Sequence, residues 1–303
     1  MKKYLITGGA GFIGTHLSGA LLKFGHKVIV IDNFSTSKGK NNDSGIKIYK
    51  TDIDDIGAIG KIFGKESPDA VIHLAGAINL RRNMADPLFK KDLDVLQRTE
   101  NILDLCKKTK VKRFVFVSSG GAIYENAGVI PTPENYPASP SSLYALANLI
   151  IEKYIEIYCK NYNLDFTIAR LSNVYGPGQW ESGIIPSIII KILKNESPVI
   201  YGTGKQTRDF IYIDDAVEAL IMLAEKSKNG IYNIGTGKEI SLNKVFETAK
   251  FFLGSKIKPI YKNLIIKESE RSAMDIKKIK KELGWKPKTD FEKGLAKTIE
   301  SFK

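Results

Sequence analysis

The chain has 303 residues, 43% hydrophobic and 26% charged, which is enough for about two domains and a sizeable core. This composition excludes a disordered, fibrous or disulfide-rich protein. The net charge of +13 would suit a polyanionic partner, but +7 of it lies in residues 256–303, where lysines alternate with acids as on solvated helix faces. Only seven arginines occur in the chain, so we expect no nucleic-acid partner.

Short, β-branched strands alternate with helices through the first half of the chain. The predicted strands are Tyr4–Thr7, Val28–Asp32, Ile46–Thr51, Ala70–Ala75, Phe114–Ser118 and Phe166–Leu171, and the predicted helices lie near 12–24, 55–64, 86–108 and 142–161. Nearly continuous apolar runs are typical of strands that are covered on both faces. The repeated β-α units therefore predict a Rossmann-type, doubly wound parallel sheet in an α/β protein.

The alternation ends near residue 172, after which proline and glycine interrupt shorter elements. We predict a cofactor-binding domain over 1–172 and a smaller, interwoven α/β domain over 173–303. A segment near 208–236 is expected to return to the first domain.

The helix at 142–161 is apolar nearly all round, which predicts burial on two sides. One side faces the sheet. The other is covered either by a second subunit, giving a homodimer through this helix and the one near 86–108, or by the second domain of the same chain.

Cysteine and histidine usage gives no sign of a metal site. Cys106 and Cys159 lie in apolar helical patterns without metal-ligand spacing, and we expect free thiols in a reducing, cytoplasmic compartment. The three histidines form no ligand cluster. The chain starts directly with a strand pattern and has no apolar run of 18 residues, so we expect neither a signal peptide nor a membrane span.

The first strand runs into TGGAGFIG, where Gly8, Gly11 and Gly14 precede and open a helix together with Phe12 and Ile13. Glycines at these positions allow a tight turn, close approach of a pyrophosphate and close packing of helix on strand. The helix N-terminus offers free N–H groups to the phosphates. This pattern predicts a dinucleotide site.

Acidic residues end the next two strands. Asp32 is placed to bind the adenosine ribose hydroxyls, and because it would repel a 2′-phosphate it favours NAD over NADP. The alternative is that Asp32 and Asn33 simply start a turn. Asp52 and Ile53 are predicted to hold the adenine edge, with helix capping by Asp52 as the alternative.

The order of these motifs resembles one family. TGGAGFIG, VIVIDNFS, TDI, HLAG, VSSGGAIY, Tyr144 after a Pro/Ser stretch, NVYGPGQ and QTRDFIYIDD follow one another, and the similarity reaches LGWKP near Trp285. The chain resembles the extended short-chain dehydrogenase/reductases, and within them the nucleotide-sugar epimerases, which include UDP-glucose 4-epimerase. The resemblance implies NAD, held also by Asn33, Leu74, Ala75 and Gly76, and a nucleotide-diphosphate sugar as substrate.

The resemblance further implies a transient oxidation in which Tyr144 removes a hydroxyl proton and a serine, which we assign to Ser119, bridges it to substrate. A lysine four residues after the tyrosine normally lowers its pKa and holds the nicotinamide ribose; here that position is Asn148. Asn148 could bind the ribose but carries no charge, and a neighbouring charge typically shifts a pKa by about 1–3 units. The sequence therefore predicts a slow enzyme, an alkaline optimum or no turnover.

Other positions depart from the family pattern as well. Asp94 stands where the family has an asparagine, Asn83 where it has a serine, and Glu125 where it has a glycine. Counting four residues back from Tyr124, where the bridging hydroxyl is expected, leads to Gly120.

For the substrate, the resemblance assigns Asn173 to the sugar or diphosphate and Arg208 and Arg271 to the diphosphate. Gln179 and Tyr201 are expected to line the nucleotide pocket. Arginine suits bidentate contacts with phosphate. The simpler alternative is a pair of surface salt bridges, Arg208 with Asp209 and Arg271 with Glu268.

The resemblance, carried by these motifs, implies an NAD-dependent nucleotide-sugar 4-epimerase, an isomerase of carbohydrate metabolism, with a UDP-hexose as the expected substrate. The alternatives are a nucleotide-sugar dehydrogenase or reductase with one-way hydride transfer, and a catalytically degenerate homologue that only binds nucleotide-sugars.

Overall fold

The computed structural model describes residues 1–35, 44–76, 94–179, 181, 183–263 and 269–303. Its strands, in chain order, are β1 (Lys3–Thr7), β2 (Lys27–Asp32), β3 (Ile46–Lys50), β4 (Ala70–His73), β5 (Arg113–Ser119), β6 (Asp165–Leu171), β7 (Asn173–Tyr175), β8 (Val199–Tyr201), β9 (Thr207–Arg208), β10 (Phe210–Tyr212), β11 (Gly230–Ile234), β12 (Ile240–Ser241) and β13 (Ile260–Lys262).

The described helices are α1 (Phe12–Lys23), α2 (Ile56–Glu66), α3 (Val95–Lys108), α4 (Gly120–Ile123), α5 (Leu143–Tyr162), α6 (Ile184–Leu193), α7 (Ile213–Lys226), α8 (Leu242–Phe252), α9 (Lys277–Leu283) and α10 (Phe291–Glu300). The helix predicted near 86–108 is described from Val95 onward, and residues 86–93 lie outside the described residues. None of the described helices combines the length and apolar character that crossing a membrane requires.

The large sheet has the strand order β11-β6-β5-β4-β1-β2-β3. The pairs β1–β2, β1–β4, β2–β3 and β4–β5 are all parallel. The order therefore reverses beside β1, and in such a sheet ligands bind outside the carboxyl ends of the strands at this reversal. The Rossmann-type α/β fold expected from the sequence is confirmed, and it places the glycine turn at that edge.

Burial explains the strand composition. Val28 to Asp32 and Ala70 to His73 are buried without interruption, as expected of central strands with helices on both faces. The apolar core of this sheet draws side chains from β1, β2, β4, β5, β6, α2, α3 and α5.

The chain divides into two compact units. The first comprises Met1–Ile123, Pro140–Arg170 and Val217–Tyr232, and the second comprises Tyr124–Ser139, Leu171–Ala216 and Asn233–Lys303. The predicted boundaries differ from these, because Tyr124–Ser139 belongs to the second unit and the returning segment is shorter than 208–236. Thr132 explains the first difference: it forms a parallel bridge with Met274, so this loop is fastened to the C-terminal segment.

Two further ties hold the loop in the second unit. Glu134 accepts a hydrogen bond from the backbone N–H of Asn233 at 2.9 Å, and the Tyr124 hydroxyl lies 3.1 Å from Oδ1 of Asn233. Among the described residues, the rest of this unit carries three two-stranded pairings: β10 with β7, β12 with β9, and β13 with β8.

Candidate active site

The glycine turn leaves no room for a side chain at Gly8 or at Gly14. Gly8 has a φ of +70°, and a Cβ there would lie 2.9 Å from the backbone nitrogen of Ala75. A Cβ on Gly14 would lie 2.5 Å from the carbonyl oxygen of Gly8. Helix α1 begins after Gly11, with Phe12 and Ile13 in its first turn, and no side chain caps it. Its first N–H groups are thus placed to meet an anion.

Asp32 is held in position by two backbone donors. Its Oδ2 accepts from the N–H of Ala10 at 2.9 Å, and its Oδ1 accepts from the N–H of Phe34 at 2.7 Å. Each carboxylate oxygen has a second lone pair that can accept another hydrogen bond. Asp32 can therefore start the turn and still accept hydrogen bonds from the ribose hydroxyls.

A cavity of about 220 Å³ lies at this edge of the sheet. Nine of the residues predicted to bind the cofactor line it: Gly8, Gly11, Asp32, Asn33, Asp52, Ile53, Leu74, Ala75 and Gly76. Sequence reasoning missed four further lining residues: Ile31, Ser35, Thr51 and Arg98.

Asp52 lines the cavity and does not cap the following helix. The cap of α2 is Asp55, whose side chain accepts from the N–H of Ala58, so the capping alternative for Asp52 is wrong. Asp52 instead accepts a hydrogen bond from Nδ2 of Asn33 at 2.7 Å. Burial raises the pKa of Asp52, but hydrogen bonds from Asn33 and from the Asp54 N–H, with the charge of Arg98, outweigh burial and lower it.

Arg98 is the missed residue with the clearest structural role. It reaches the cavity from α3 and forms a two-point ion pair with Asp54, at 2.6 Å (Nε–Oδ1) and 2.8 Å (Nη2–Oδ2). The residues in between are too many for a local pattern to have linked the two side chains.

His73 supports the cavity wall from inside the core. Its Nδ1 lies 2.6 Å from Oγ1 of Thr7, and that hydroxyl also accepts from the N–H of Ala75 at 3.4 Å. Burial lowers the pKa of His73 to about 4, so the ring is neutral at pH 7. Within the part of the chain that the structure describes, no group of His, Cys, Asp and Glu could hold a metal ion.

The residues around this cavity fit NAD. The uncapped helix start and the bare glycine backbone suit a pyrophosphate, and the buried carboxylate of Asp32 suits a diol but repels a 2′-phosphate.

We expect Asp32→Asn to bind NAD about 10- to 100-fold more weakly than the native chain, because a hydrogen bond to a charged group contributes about 1.5–3 kcal/mol. The dissociation constants of NAD and NADP, measured by calorimetry, test this. Asp69→Asn is the matched control, since Asp69 also accepts a backbone N–H, that of Lys3, away from the cavity. Equal NAD affinity in Asp32→Asn and the native chain would contradict the assignment.

Tyr144, Ser119 and Asn148 come together in the first unit. Tyr144 lies in the first turn of α5, which Ser142 caps by accepting from the N–H of Ala145. Ser119 ends β5, and both its side chain and that of Asn148 are hydrogen-bonded to Tyr144. Asn148 also donates from Nδ2 to the Tyr144 carbonyl at 2.9 Å, as is common one helical turn along.

The surroundings of Tyr144 hold its phenol in the neutral form. Burial raises the pKa of Tyr144 above its ordinary value, and the hydrogen bonds from Ser119 and Asn148 lower it by less than burial raises it. Asn148 is itself buried, and its side chain is a neutral amide. A cation at this position would lower the pKa of Tyr144 and so oppose the effect of burial.

A buried ion pair continues the same helix face. Glu152 and Arg170 form a side-chain pair in which both groups are almost wholly buried, with Nε of Arg170 3.0 Å from Oε1 of Glu152. Ser118 donates its hydroxyl to the same Oε1 at 2.6 Å. Ser118 is buried and its hydroxyl is already hydrogen-bonded to Glu152, which leaves Ser119 as the serine next to Tyr144.

The second unit carries the predicted substrate residues. Arg208 donates from Nη1 to the carbonyls of Thr207 at 2.9 Å and Ser269 at 2.8 Å. Arg271 pairs with Glu239; Glu268, its predicted surface partner, lies outside the described residues. Asp209, the other proposed salt-bridge partner, is buried and accepts the N–H groups of Thr236, Gly237 and Met274, so its carboxylate is committed to the backbone.

The other substrate residues lie in the same unit. Asn173 starts β7 and is exposed, and its N–H donates to the Asp209 carbonyl at 2.9 Å. Gln179 donates from Nε2 to the Val174 carbonyl, while its buried Oε1 has no hydrogen-bond partner among the described residues. Tyr201 ends β8, and its carbonyl accepts from Gln206. Of the departures from the family pattern, Asn83 lies outside the described residues.

A Rossmann-type sheet with this cavity, and a tyrosine–serine pair on the same unit, defines the class as an NAD-dependent enzyme of the extended short-chain dehydrogenase/reductase type. A family model described as the NAD dependent epimerase/dehydratase family matches residues 4–235. The chain belongs to this family, and NAD is its cofactor.

Known epimerases are similar to this chain over nearly its full length. A putative UDP-glucose 4-epimerase of Methanocaldococcus jannaschii is 41% identical over 298 residues, covering 97% of this chain and 96% of the relative. The crystal structure of the UDP-glucose 4-epimerase of Thermotoga maritima with UDP-glucose superposes with a TM-score of 0.95 at 36% identity, covering 99% and 98% of the two chains. The Thermus thermophilus UDP-glucose 4-epimerase in complex with NAD gives 0.91 at 31% identity, with the same coverage.

Proposed function

We propose that this chain is an NAD-dependent nucleotide-sugar 4-epimerase that acts on a UDP-hexose. The observation that carries the proposal is the contact of Ser119 with Tyr144 on the unit that holds the NAD cavity. Its support from outside the chain is that UDP-glucose 4-epimerases are similar to it over nearly its full length.

In this mechanism Tyr144 acts in its deprotonated form: the tyrosinate takes the proton of the sugar 4-hydroxyl and returns it at the end. Ser119 hydrogen-bonds the reacting oxygen and keeps it beside the phenol. Bound NAD supplies the redox chemistry, since it accepts a hydride from carbon 4 and gives it back to the opposite face of the 4-keto sugar. Atoms and electrons balance, because the proton and the hydride both return to the sugar.

The second unit binds the nucleotide in this proposal. Arg208 and Arg271 hold the diphosphate, Asn173 contacts the sugar or the diphosphate, and Gln179 and Tyr201 line the nucleotide pocket. The fork of an arginine guanidinium matches two phosphate oxygens, which a lysine cannot do.

The experiment is conversion from both directions. Incubation of the purified chain with UDP-galactose or with UDP-glucose should reach the same mixture by NMR, while the amount of NAD stays constant. A 4-keto sugar that accumulates with an equal loss of NAD indicates one-way hydride transfer. Binding of NAD and UDP without conversion, up to about pH 10, indicates a degenerate homologue, which the neutral Asn148 and the raised pKa of Tyr144 would favour.

We also propose a homodimer, formed through α3 and α5. Leu146, Ile150 and Ile157 lie along one stripe of α5 and are exposed in the single chain, at 42%, 45% and 64%. Apolar side chains at this spacing are typical of a helix–helix contact. Sedimentation equilibrium tests the proposal, and a mass of one chain at micromolar concentration would contradict it.

A cytoplasmic location is part of the same proposal. Cys106 and Cys159 are both buried free thiols, as is usual in a reducing compartment. Cell fractionation tests it.

A further inference from the structure

Glu239 links Arg271 to β9, the strand that carries Arg208; both arginines are predicted to bind the diphosphate. Its Oε1 accepts from Nε of Arg271 at 2.9 Å and its Oε2 accepts from Nη2 at 2.5 Å. The hydroxyl of Thr207 donates to the same Oε1 at 2.6 Å. Glu239 is 24% exposed and Arg271 62% exposed, so the carboxylate is the better anchored partner.

Thr207 is fixed by its backbone on two sides. It pairs with Ser241 across the β9–β12 ladder, and its N–H donates to the carbonyl of Glu270 at 2.9 Å. Its neighbour Arg208 donates to the carbonyls of Thr207 and Ser269. Arg208 thus connects β9 to the segment around Ser269 by its own hydrogen bonds. Arg271, which lies in that segment, is connected to Thr207 of β9 through Glu239.

The ion pair uses only one edge of the Arg271 guanidinium. Glu239 binds the side formed by Nε and Nη2, and among the described residues Nη1 of Arg271 donates no hydrogen bond. The edge formed by Nη1 and the second N–H of Nη2 is a donor fork of the kind that binds phosphate at two points.

We propose that Glu239 is a positioning residue for the substrate: it orders Arg271 so that the free edge of the guanidinium meets the diphosphate of a nucleoside diphosphate. This inference rests on the proposed function. It adds Glu239, which acts on the diphosphate by holding Arg271 and does not contact the diphosphate itself.

Removing the carboxylate has two opposed effects on affinity. It takes a negative charge away from an anion site, which favours binding, and it frees a long side chain that binding must then order. Both groups are partly exposed, so at about 0.15 M salt, where the Debye length is about 8 Å, the charge effect is screened. Ordering a flexible side chain is not screened, and it corresponds to about three- to tenfold in affinity.

We therefore expect Glu239→Gln to bind UDP about three- to tenfold more weakly than the native chain, in calorimetry at physiological salt. An amide offers one acceptor oxygen where the carboxylate offers two, so the two-point contact with Arg271 is lost. The NAD dissociation constant and the melting temperature should stay unchanged. Glu196→Gln is the matched control, because Glu196 also sits in an ion pair of the second unit, with Lys191.

A double-mutant cycle separates positioning from a general structural role. In an Arg271→Met background, Glu239→Gln should have no further effect on UDP affinity. Unchanged or tighter UDP binding by Glu239→Gln overturns the inference alone, as does an equal loss in both backgrounds. If the native chain binds NAD but no UDP, the proposed function and this inference fall together.

Discussion

Replacing Asn148 by lysine is expected to raise the rate of epimerisation at pH 7 by about 10- to 1000-fold. Asn148 is buried and hydrogen-bonded to Tyr144, so a lysine ammonium there would lie beside the phenol. A positive charge at this range lowers a tyrosine pKa by about 1–3 units. Below the pKa, the fraction of tyrosinate rises by the same factor, and the rate rises with it.

The measurement is the pH dependence of kcat from about pH 6 to about pH 10. In the native chain burial keeps the pKa of Tyr144 raised, and since the base works deprotonated, the rate should climb throughout this range. In Asn148→Lys the climb should end at lower pH. Asn148→Gln, which adds length without charge, should follow the native profile, and Tyr144→Phe should abolish the gain.

A native rate that is already independent of pH near neutrality would contradict this account. It would mean that another group, including the positive charge of bound oxidised nicotinamide, supplies the charge that Asn148 lacks. Asn148→Lys would then change the rate at pH 7 only slightly.

Replacing Glu152 by alanine is expected to lower the free energy of unfolding by about 3–5 kcal/mol. The substitution removes one partner of the buried Glu152–Arg170 ion pair, and breaking a buried ion pair in this way is strongly destabilising. It also removes the acceptor of the Ser118 hydroxyl. Urea unfolding, with the slope compared between variants, measures the change.

Two comparisons make this prediction specific. Glu156→Ala removes a partner of the exposed Lys153 on the same helix and should cost no more than about 1 kcal/mol. The double variant Glu152→Met/Arg170→Met replaces both charges with apolar groups and should recover most of the loss. A loss below about 1 kcal/mol in Glu152→Ala would show that water reaches the pair.

Local features of this protein could be predicted from sequence because they depend on neighbouring residues. The glycine turn needs backbone space and a positive φ at Gly8, and both requirements are met by residue type alone. Strand burial followed from apolar runs. The position of Asn148 relative to Tyr144 followed from one turn of helix.

Other features depended on which distant segments meet. Arg98 reaches the NAD cavity because α3 packs against α2, and Asp54, just before α2, fixes the guanidinium there. The loop Tyr124–Ser139 belongs to the second unit because Thr132 bridges to Met274, far along the chain. Nothing in either local pattern carries that information.

The sequence alone determined the fold class, the cofactor and the loss of the charge next to Tyr144, since each is written in contiguous or helix-spaced residues. Only the tertiary structure decided that Ser119 and not Ser118 meets Tyr144, because Glu152 engages Ser118 from another element. It also decided that Arg271 is held by Glu239. Ion pairs between distant segments are set by strand register and packing, and these exist only once the chain has folded.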